Sequence, residues 1–383
     1  MKSWVEISGA KLAENFRAVQ AVAGAGVETL AVIKANAYGH GALVCAPVLV
    51  DAGAQWLGVS DVEEGAAVRE AFPHSGTRVL VMCGMELGDA AKMVAHGLTP
   101  VVWTPEHVAA MEKAGRASGH RVHVHLEIET GMGRQGVVAL VDLMRVLERL
   151  AGSRWVHCEG VMTHLCCAEV AGARTTELAR ERFEVALEQV KMAGIKPEYV
   201  HVGNTSAVDE GGTMAWIRGQ AKAMGARAMV RTGFGIYGYC LAIEGGGTHL
   251  LEQKISPVLW WKTRVIGVRE VEAGTTVGYS ATFVASQKMK LALLPVGYAD
   301  GFRRAGSSGV GDGWVMIAGK KAVVVGRVSM NLTVVDVSGI SGVHEGMEVV
   351  LLGEGVSAED HAGWSGTIAY DVLCGIRARS VRV

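Results

Sequence analysis

Two textures of hydrophobic and polar positions divide the chain. Through about residue 235, short runs rich in Val, Ile and Leu recur near 28–33, 55–59, 78–83, 98–103, 122–128, 156–163, 198–202 and 227–231. Between them lie stretches with apolar residues at helical spacing, at 10–23, 62–71, 105–118, 137–151 and 173–193. Eight strands alternating with helices predict a closed (β/α)8 barrel, with an open parallel sheet as the alternative that the count alone leaves standing. The fifth run adds information. Val122, Val124, Leu126 and Ile128 alternate with His123, His125, Glu127 and Glu129. In a barrel the apolar set packs against the helices, while the polar set faces the interior and its C-terminal mouth. A polar stripe turned inward is costly unless it serves a site.

After residue 238 helical periodicity fades. Strand-like runs with frequent Gly follow at 257–268, 289–296, 314–318, 321–328, 333–337 and 347–353, the pattern of an all-β domain. The expected organisation is therefore an α/β chain: a (β/α)8 barrel over 9–238, then a β-rich domain over 239–383 that the N-terminal strand 1–8 joins.

Composition narrows the function classes. Half of the 383 residues are hydrophobic and 20% are charged, which describes a folded globular chain. Lys and Arg number 37 against 38 Asp and Glu, a net charge of -1. No basic excess supports nucleic acid or a membrane surface as partner. The longest apolar runs, such as Leu291 to Val296, fall far short of the roughly 18 residues of a membrane span. Met1 to Ile7 lacks the apolar core of a signal peptide. The seven cysteines contain no CxxC pair, and Cys166 adjoins Cys167, so reduced thiols and a cytoplasmic location are expected.

The first strand ends in Ala31-Val32-Ile33-Lys34-Ala35-Asn36-Ala37-Tyr38-Gly39-His40-Gly41. An apolar strand finishing in Lys suggests an amine that desolvation turns into a Schiff-base nucleophile. The alternative is a strand-end Lys with its ammonium in water, and this residue alone leaves both open. The whole string resembles the pyridoxal 5'-phosphate (PLP) attachment motif of the alanine racemase family, and the resemblance continues in order through the chain. Thr130-Gly131-Met132-Gly133-Arg134, Thr163-His164, His201-Val202-Gly203-Asn204-Thr205 and Arg231-Thr232-Gly233-Phe234-Gly235 are similar to family segments of the barrel. Gly278-Tyr279-Ser280, Gly297-Tyr298-Ala299-Asp300-Gly301, Gly326-Arg327-Val328-Ser329-Met330 and Tyr370 are similar to segments of the β domain.

The resemblance implies a PLP-binding barrel of fold type III and a two-base racemisation of alanine. It implies that Lys34 carries the cofactor and serves as one base, with Tyr279 of the partner subunit as the other, in a head-to-tail homodimer. Tyr38, His164, His201, Thr205, Arg231, Gly233, Phe234 and Tyr370 are then cofactor contacts, with Arg231 at the pyridine nitrogen and His201 supporting it. Arg134 and Met330 bind the substrate amino acid. Glu127, Tyr298, Arg304, Arg327 and Ile368 stand around the site or line a narrow access corridor. His164 and Arg134 supply the positive charge that a Tyr base requires. Three positions depart from the family pattern: Glu127 stands where many members have a carbamylated Lys, Asn331 replaces an Asp, and Thr232 replaces a Pro. Beside an arginine, Glu127 is expected to have a lowered pKa.

Other readings compete. Gly131-Met-Gly-Arg-Gln-Gly136 and Gly233-Phe-Gly-Ile-Tyr-Gly238 both fit GxGxxG, but neither lies in the first βα turn where a dinucleotide motif belongs. His123, His125, His164 and His201 suggest a catalytic metal site, which Arg231 on the eighth strand opposes electrostatically, so no metal is expected. A racemase of broader specificity and a non-enzymatic PLP-binding protein are the remaining alternatives.

Overall fold

The computed structural model describes residues 2–73 and 76–383, so Met1 of the expected N-terminal strand lies outside the described residues. The described residues divide into two compact units, one made of residues 10–37, 45–73 and 76–256, the other of residues 2–9, 38–44 and 257–383.

The larger unit is a closed barrel of eight parallel strands: β2 Val27–Val32, β3 Trp56–Val59, β4 Arg78–Val81, β5 Thr99–Val102, β6 Val122–Glu127, β7 Val156–Met162, β8 Tyr199–His201 and β9 Arg227–Thr232. Closure is made by β2 against β9, with Leu30 paired to Arg231 and Ala31 to Thr232. The open-sheet alternative is thereby removed. The helices start and stop where local chemistry dictates. Thr104 accepts a hydrogen bond from the His107 amide, Pro105 occupies the first turn, and left-handed Gly119 ends the helix Pro105–Ser118. Leu143, Val146, Leu147 and Leu150 give Leu140–Gly152 one buried stripe. The helices Ala42–Asp51, Thr205–Glu210 and Gly212–Ala223 were not among those that periodicity marked. No helix among the described residues is long and apolar enough to cross a membrane.

In the smaller unit the expected strands form, with two short helices, Ala358–Ser365 and Ala369–Cys374, packed among them. β1 Ser3–Ile7 lies between β10 Leu259–Arg264, antiparallel, and the last strand of the chain, Arg379–Arg382, parallel. The six-stranded sheet is completed by Glu348–Leu352, Trp314–Ile317 and Lys320–Val323. Gly267–Val271, Met289–Leu294 and Thr333–Asp336 make a three-stranded sheet around a core that includes Val271, Met289, Leu291 and Val325.

The turn after β2 is unusual. Ala35, Asn36, Ala37 and Tyr38 all have φ of 53–56°, one turn of left-handed helix built from residues with side chains. Each such residue costs roughly 1–2 kcal/mol relative to the right-handed form. The Ala37 amide donates to the Ile33 carbonyl, and the Asn36 amide donates to Glu64 Oε1 at 3.1 Å. Gly39 follows at φ +81°, where a Cβ would meet the Leu373 carbonyl oxygen, so no other residue fits.

Candidate active site

Within the barrel unit, the C-terminal ends of the strands collect most of the residues singled out from the sequence. Arg231, on β9, is buried and makes four contacts, all with neutral groups. Its Nη1 meets His201 Nδ1 at 3.3 Å and donates to the His201 carbonyl at 3.2 Å. Its Nη2 donates to the Thr163 carbonyl at 2.8 Å and meets His164 Nδ1 at 3.2 Å. Burial pushes the guanidinium down to about 10, with Glu127 acting the other way, so it remains charged at neutral pH.

His164 is neutral. Burial first, then the positive charges of Arg231, Arg134 and Lys34, push its pKa down to about 3. The expectation that His164 supplies positive charge is corrected: it is uncharged, 3.2 Å from Arg231, and the charges of Arg134 and Lys34 also act against its protonation. Lys34 itself is half-buried at the end of β2, rather than enclosed as an apolar strand suggested. Arg134 is exposed on a turn whose shape is set by Glu129, which accepts from the Gly131 amide at 2.5 Å and the Arg134 amide at 3.1 Å.

Glu127 also departs from expectation. Buried on the inward face of β6, it takes a hydrogen bond from Gln135 Nε2 at 2.5 Å, and Gln135 Nε2 also donates to the Met82 carbonyl. Desolvation raises its pKa, outweighing the Gln135 hydrogen bond and the charges of Arg231 and Arg134. The lowered pKa read from its neighbourhood is overturned, because a buried carboxylate loses more hydration than these cations return.

Behind Arg231 lies a buried contact between two histidines. An arginine has no acceptor, so His201 Nδ1 facing it is unprotonated and the ring proton sits on Nε2. That nitrogen meets His125 Nδ1 at 2.9 Å. His125 Nε2 then lies 3.5 Å from Glu159, a fully buried carboxylate also paired with Arg78. Burial would raise Glu159, but His123, His125 and Arg78 hold it well below the usual carboxylate range. The inward position of His125 was legible in the alternation of β6; Glu159 and Arg78 carried no signal of their own.

Nearby in the sequence order of the barrel, the Thr205 hydroxyl accepts from the Gly235 amide at 3.0 Å, leaving its own hydrogen to donate. Gly233 and Phe234 form the buried turn after β9, and the Tyr237 hydroxyl anchors it to the Val32 carbonyl. An amine, a fixed guanidinium, a free hydroxyl hydrogen and a turn of amides suit a phosphorylated aromatic aldehyde.

The smaller unit carries the other predicted residues. Tyr38 and Tyr370 pair with ring centroids 6.0 Å apart. Tyr279 is 70% exposed, and Tyr298, Met330 and Ile368 are exposed as well. Arg327 Nη1 donates to Ser280 Oγ at 3.2 Å beside Tyr279. A Cβ on Gly278 would meet the Arg327 amide nitrogen at 2.8 Å, so glycine there lets the Tyr279 turn approach the 326–330 segment. Arg304 caps a short turn through its carbonyl, which accepts from the Ser307 hydroxyl, while its neighbour Arg303 makes the ion pair with Asp371.

A closed barrel with a lysine, a buried arginine and a neutral histidine gathered at the C-terminal ends of its strands is the architecture of a barrel enzyme. Family profiles are more specific: the alanine racemase N-terminal domain matches residues 7–240 and the alanine racemase C-terminal domain matches residues 258–383. The chain belongs to the alanine racemase family. It is 35% identical to the alanine racemase of Symbiobacterium thermophilum over 99% of this chain and 96% of that one. Among solved structures, the alanine racemase of Streptomyces coelicolor A3(2) superposes with a TM-score of 0.87 at 31% identity, covering 100% of this chain and 98% of that one. The alanine racemase of Bacillus anthracis, solved with bound L-Ala-P, gives a TM-score of 0.86 at 27% identity over 100% and 95%.

Proposed function

We propose that this chain interconverts L- and D-alanine with PLP as cofactor, using Lys34 on one face of the substrate and Tyr279 of a second subunit on the other. The observation that carries this reading is Lys34 at the end of β2 in the same barrel mouth as a buried Arg231, which the Thr163 and His201 carbonyls and the His164 and His201 rings hold in place. Membership of the family supports the cofactor and the reaction.

When bound, PLP supplies the electron sink for the α-carbanion. The chain supplies the rest. Lys34 holds the cofactor, and Thr205 with the amides of Gly233 and Phe234 holds its phosphate. Tyr38 and Tyr370, whose rings pair within the smaller unit, are the remaining cofactor contacts that the family resemblance implies. Arg231 presents only N–H donors, and its fixed positive charge disfavours a proton on the ring nitrogen, which moderates the sink and suppresses misplaced protonation. Arg134 and the segment at Met330 orient the substrate carboxylate. Lys34 Nζ and Tyr279 Oη exchange the α-proton from opposite faces, so each serves as acid in one direction and base in the other. Tyr298 and Ile368, with Arg304 and Arg327, are the residues that this reading assigns to limiting access to small amino acids.

The test is a chiral assay of purified holoenzyme against Ala, Ser, Lys and Arg, joined to borohydride reduction and peptide mapping. Racemisation of alanine well above the others, with the pyridoxyl group on Lys34, is the expected result. Label on another lysine, or no preference for alanine, overturns the residue assignment or the substrate respectively.

A further inference from the structure

At the N-terminal end of the barrel, opposite the strand ends that carry Lys34 and Arg231, three consecutive strands bring together side chains for which the proposed reaction has no use. His123 is the second residue of β6, His157 is the second of β7, and Glu198 directly precedes β8. His123 and His157 are register partners across adjacent strands, and their rings meet edge to face with centroids 5.3 Å apart. Glu198 Oε1 lies 3.5 Å from His157 Nε2. The ligand atoms these three residues offer all fall within 4.8 Å of one another.

We propose that His123, His157 and Glu198 bind a divalent transition-metal ion of the Zn2+ class, which clamps β6, β7 and the start of β8.

The ligand chemistry selects the ion. Two imidazoles and one carboxylate suit Zn2+ and its neighbours in the first transition row, whereas Mg2+ and Ca2+ take oxygen ligands. Metal–ligand bonds of about 2.0–2.2 Å require the three groups to close in slightly. All three are partly exposed, so small side-chain rotations supply that movement. The fourth tetrahedral position falls to water. Behind His123 stands the kind of support that ligating histidines commonly have: the fully buried Glu159 places Oε1 3.6 Å from His123 Nδ1. An imidazole binds a metal through its unprotonated nitrogen, so binding at this site should weaken as the solution is acidified. Arg121 is exposed and free to turn into solvent when a cation arrives.

Tag-free holoenzyme titrated with Zn2+ by calorimetry should bind one equivalent per chain. Co2+ at the same site should give tetrahedral visible bands without thiolate charge transfer. His157→Ala and Glu198→Gln should each weaken Zn2+ binding by at least about tenfold, the effect that even supporting residues commonly have. Zn2+ should raise the melting temperature of the unsubstituted protein more than that of either variant. Glu198 is exposed, so Glu198→Gln carries the test even where His157→Ala folds poorly. The adjacent thiols Cys166 and Cys167 are the competing soft ligands, and a Cys166→Ser, Cys167→Ser double variant should retain the site. No saturable binding, or binding lost with the thiols and kept in Glu198→Gln, overturns the proposal.

Discussion

At the scale of single residues, Glu127 shows how burial decides a charge. Its raised pKa means that the folded protein holds the Glu127 proton more tightly than the unfolded chain does. The cost of ionising it is therefore absent below the ordinary Glu pKa of about 4.3 and fully present above the folded-state value. Glu127→Gln removes that cost and keeps an acceptor for Gln135. The variant should gain melting temperature over the parent at pH 7.5 and lose that advantage near pH 4; a gain that is equal at both pH values would show that Glu127 does not titrate in this way. Loss of the negative charge near Arg134 should raise KM for alanine more than it lowers kcat. A carboxyl group that belongs to the chain needs no carbamylation, so degassed and bicarbonate-supplemented assays should agree. The alternation of β6 placed Glu127 inward correctly. Its partner was not legible, because Gln135 reaches it only through the turn at 129–137, whose path depends on Gly136 at φ +106°.

At the scale of elements, the apolar runs located all eight barrel strands, since a buried parallel strand needs a continuous apolar run and the sequence marks where it stops. Helices such as Thr205–Glu210 escaped because one and a half turns present too few positions to establish a period. Handedness escaped for a deeper reason. Nothing in the pattern Lys34-Ala35-Asn36-Ala37-Tyr38 reports the sign of φ, and tertiary contacts hold a turn that alanine alone would avoid. Ala35 is exposed within that turn, so it isolates the backbone effect. Ala35→Val, β-branched at positive φ, should lower stability by at least about 1 kcal/mol, whereas Ala35→Gly should hold or raise it. Chemical denaturation of the two variants measures the difference, and equal midpoints would mean that the turn is not left-handed in solution.

At the scale of the whole molecule, the two units contribute different chemistry. The barrel unit gathers the cations and the neutral His164, while Tyr279, Tyr298, Met330 and Ile368 stand exposed on the smaller unit. Large exposed side chains in one unit suit a surface that a second subunit covers. In the proposed dimer, Lys34→Ala and Tyr279→Phe subunits are each inactive, and a mixed dimer rebuilds one site that carries neither substitution. Activity should return on mixing, toward a quarter of the unsubstituted level when exchange is random. No recovery after demonstrated exchange would put both residues in one chain and end the shared-site reading.

The place of β1 in its sheet has a consequence for how the protein is made. Ser3 pairs with Thr263, and Trp4 pairs with Arg379 on the other side. During translation the first strand leaves the ribosome with neither neighbour yet in existence. The barrel strands, synthesised in the interval, can close on one another while β1 waits. Its amides and carbonyls meanwhile form an open edge available to any passing strand. Alternation of Val5 and Ile7 with Glu6 leaves that waiting segment short and charged, which limits the chance of a wrong partner until its two neighbours arrive.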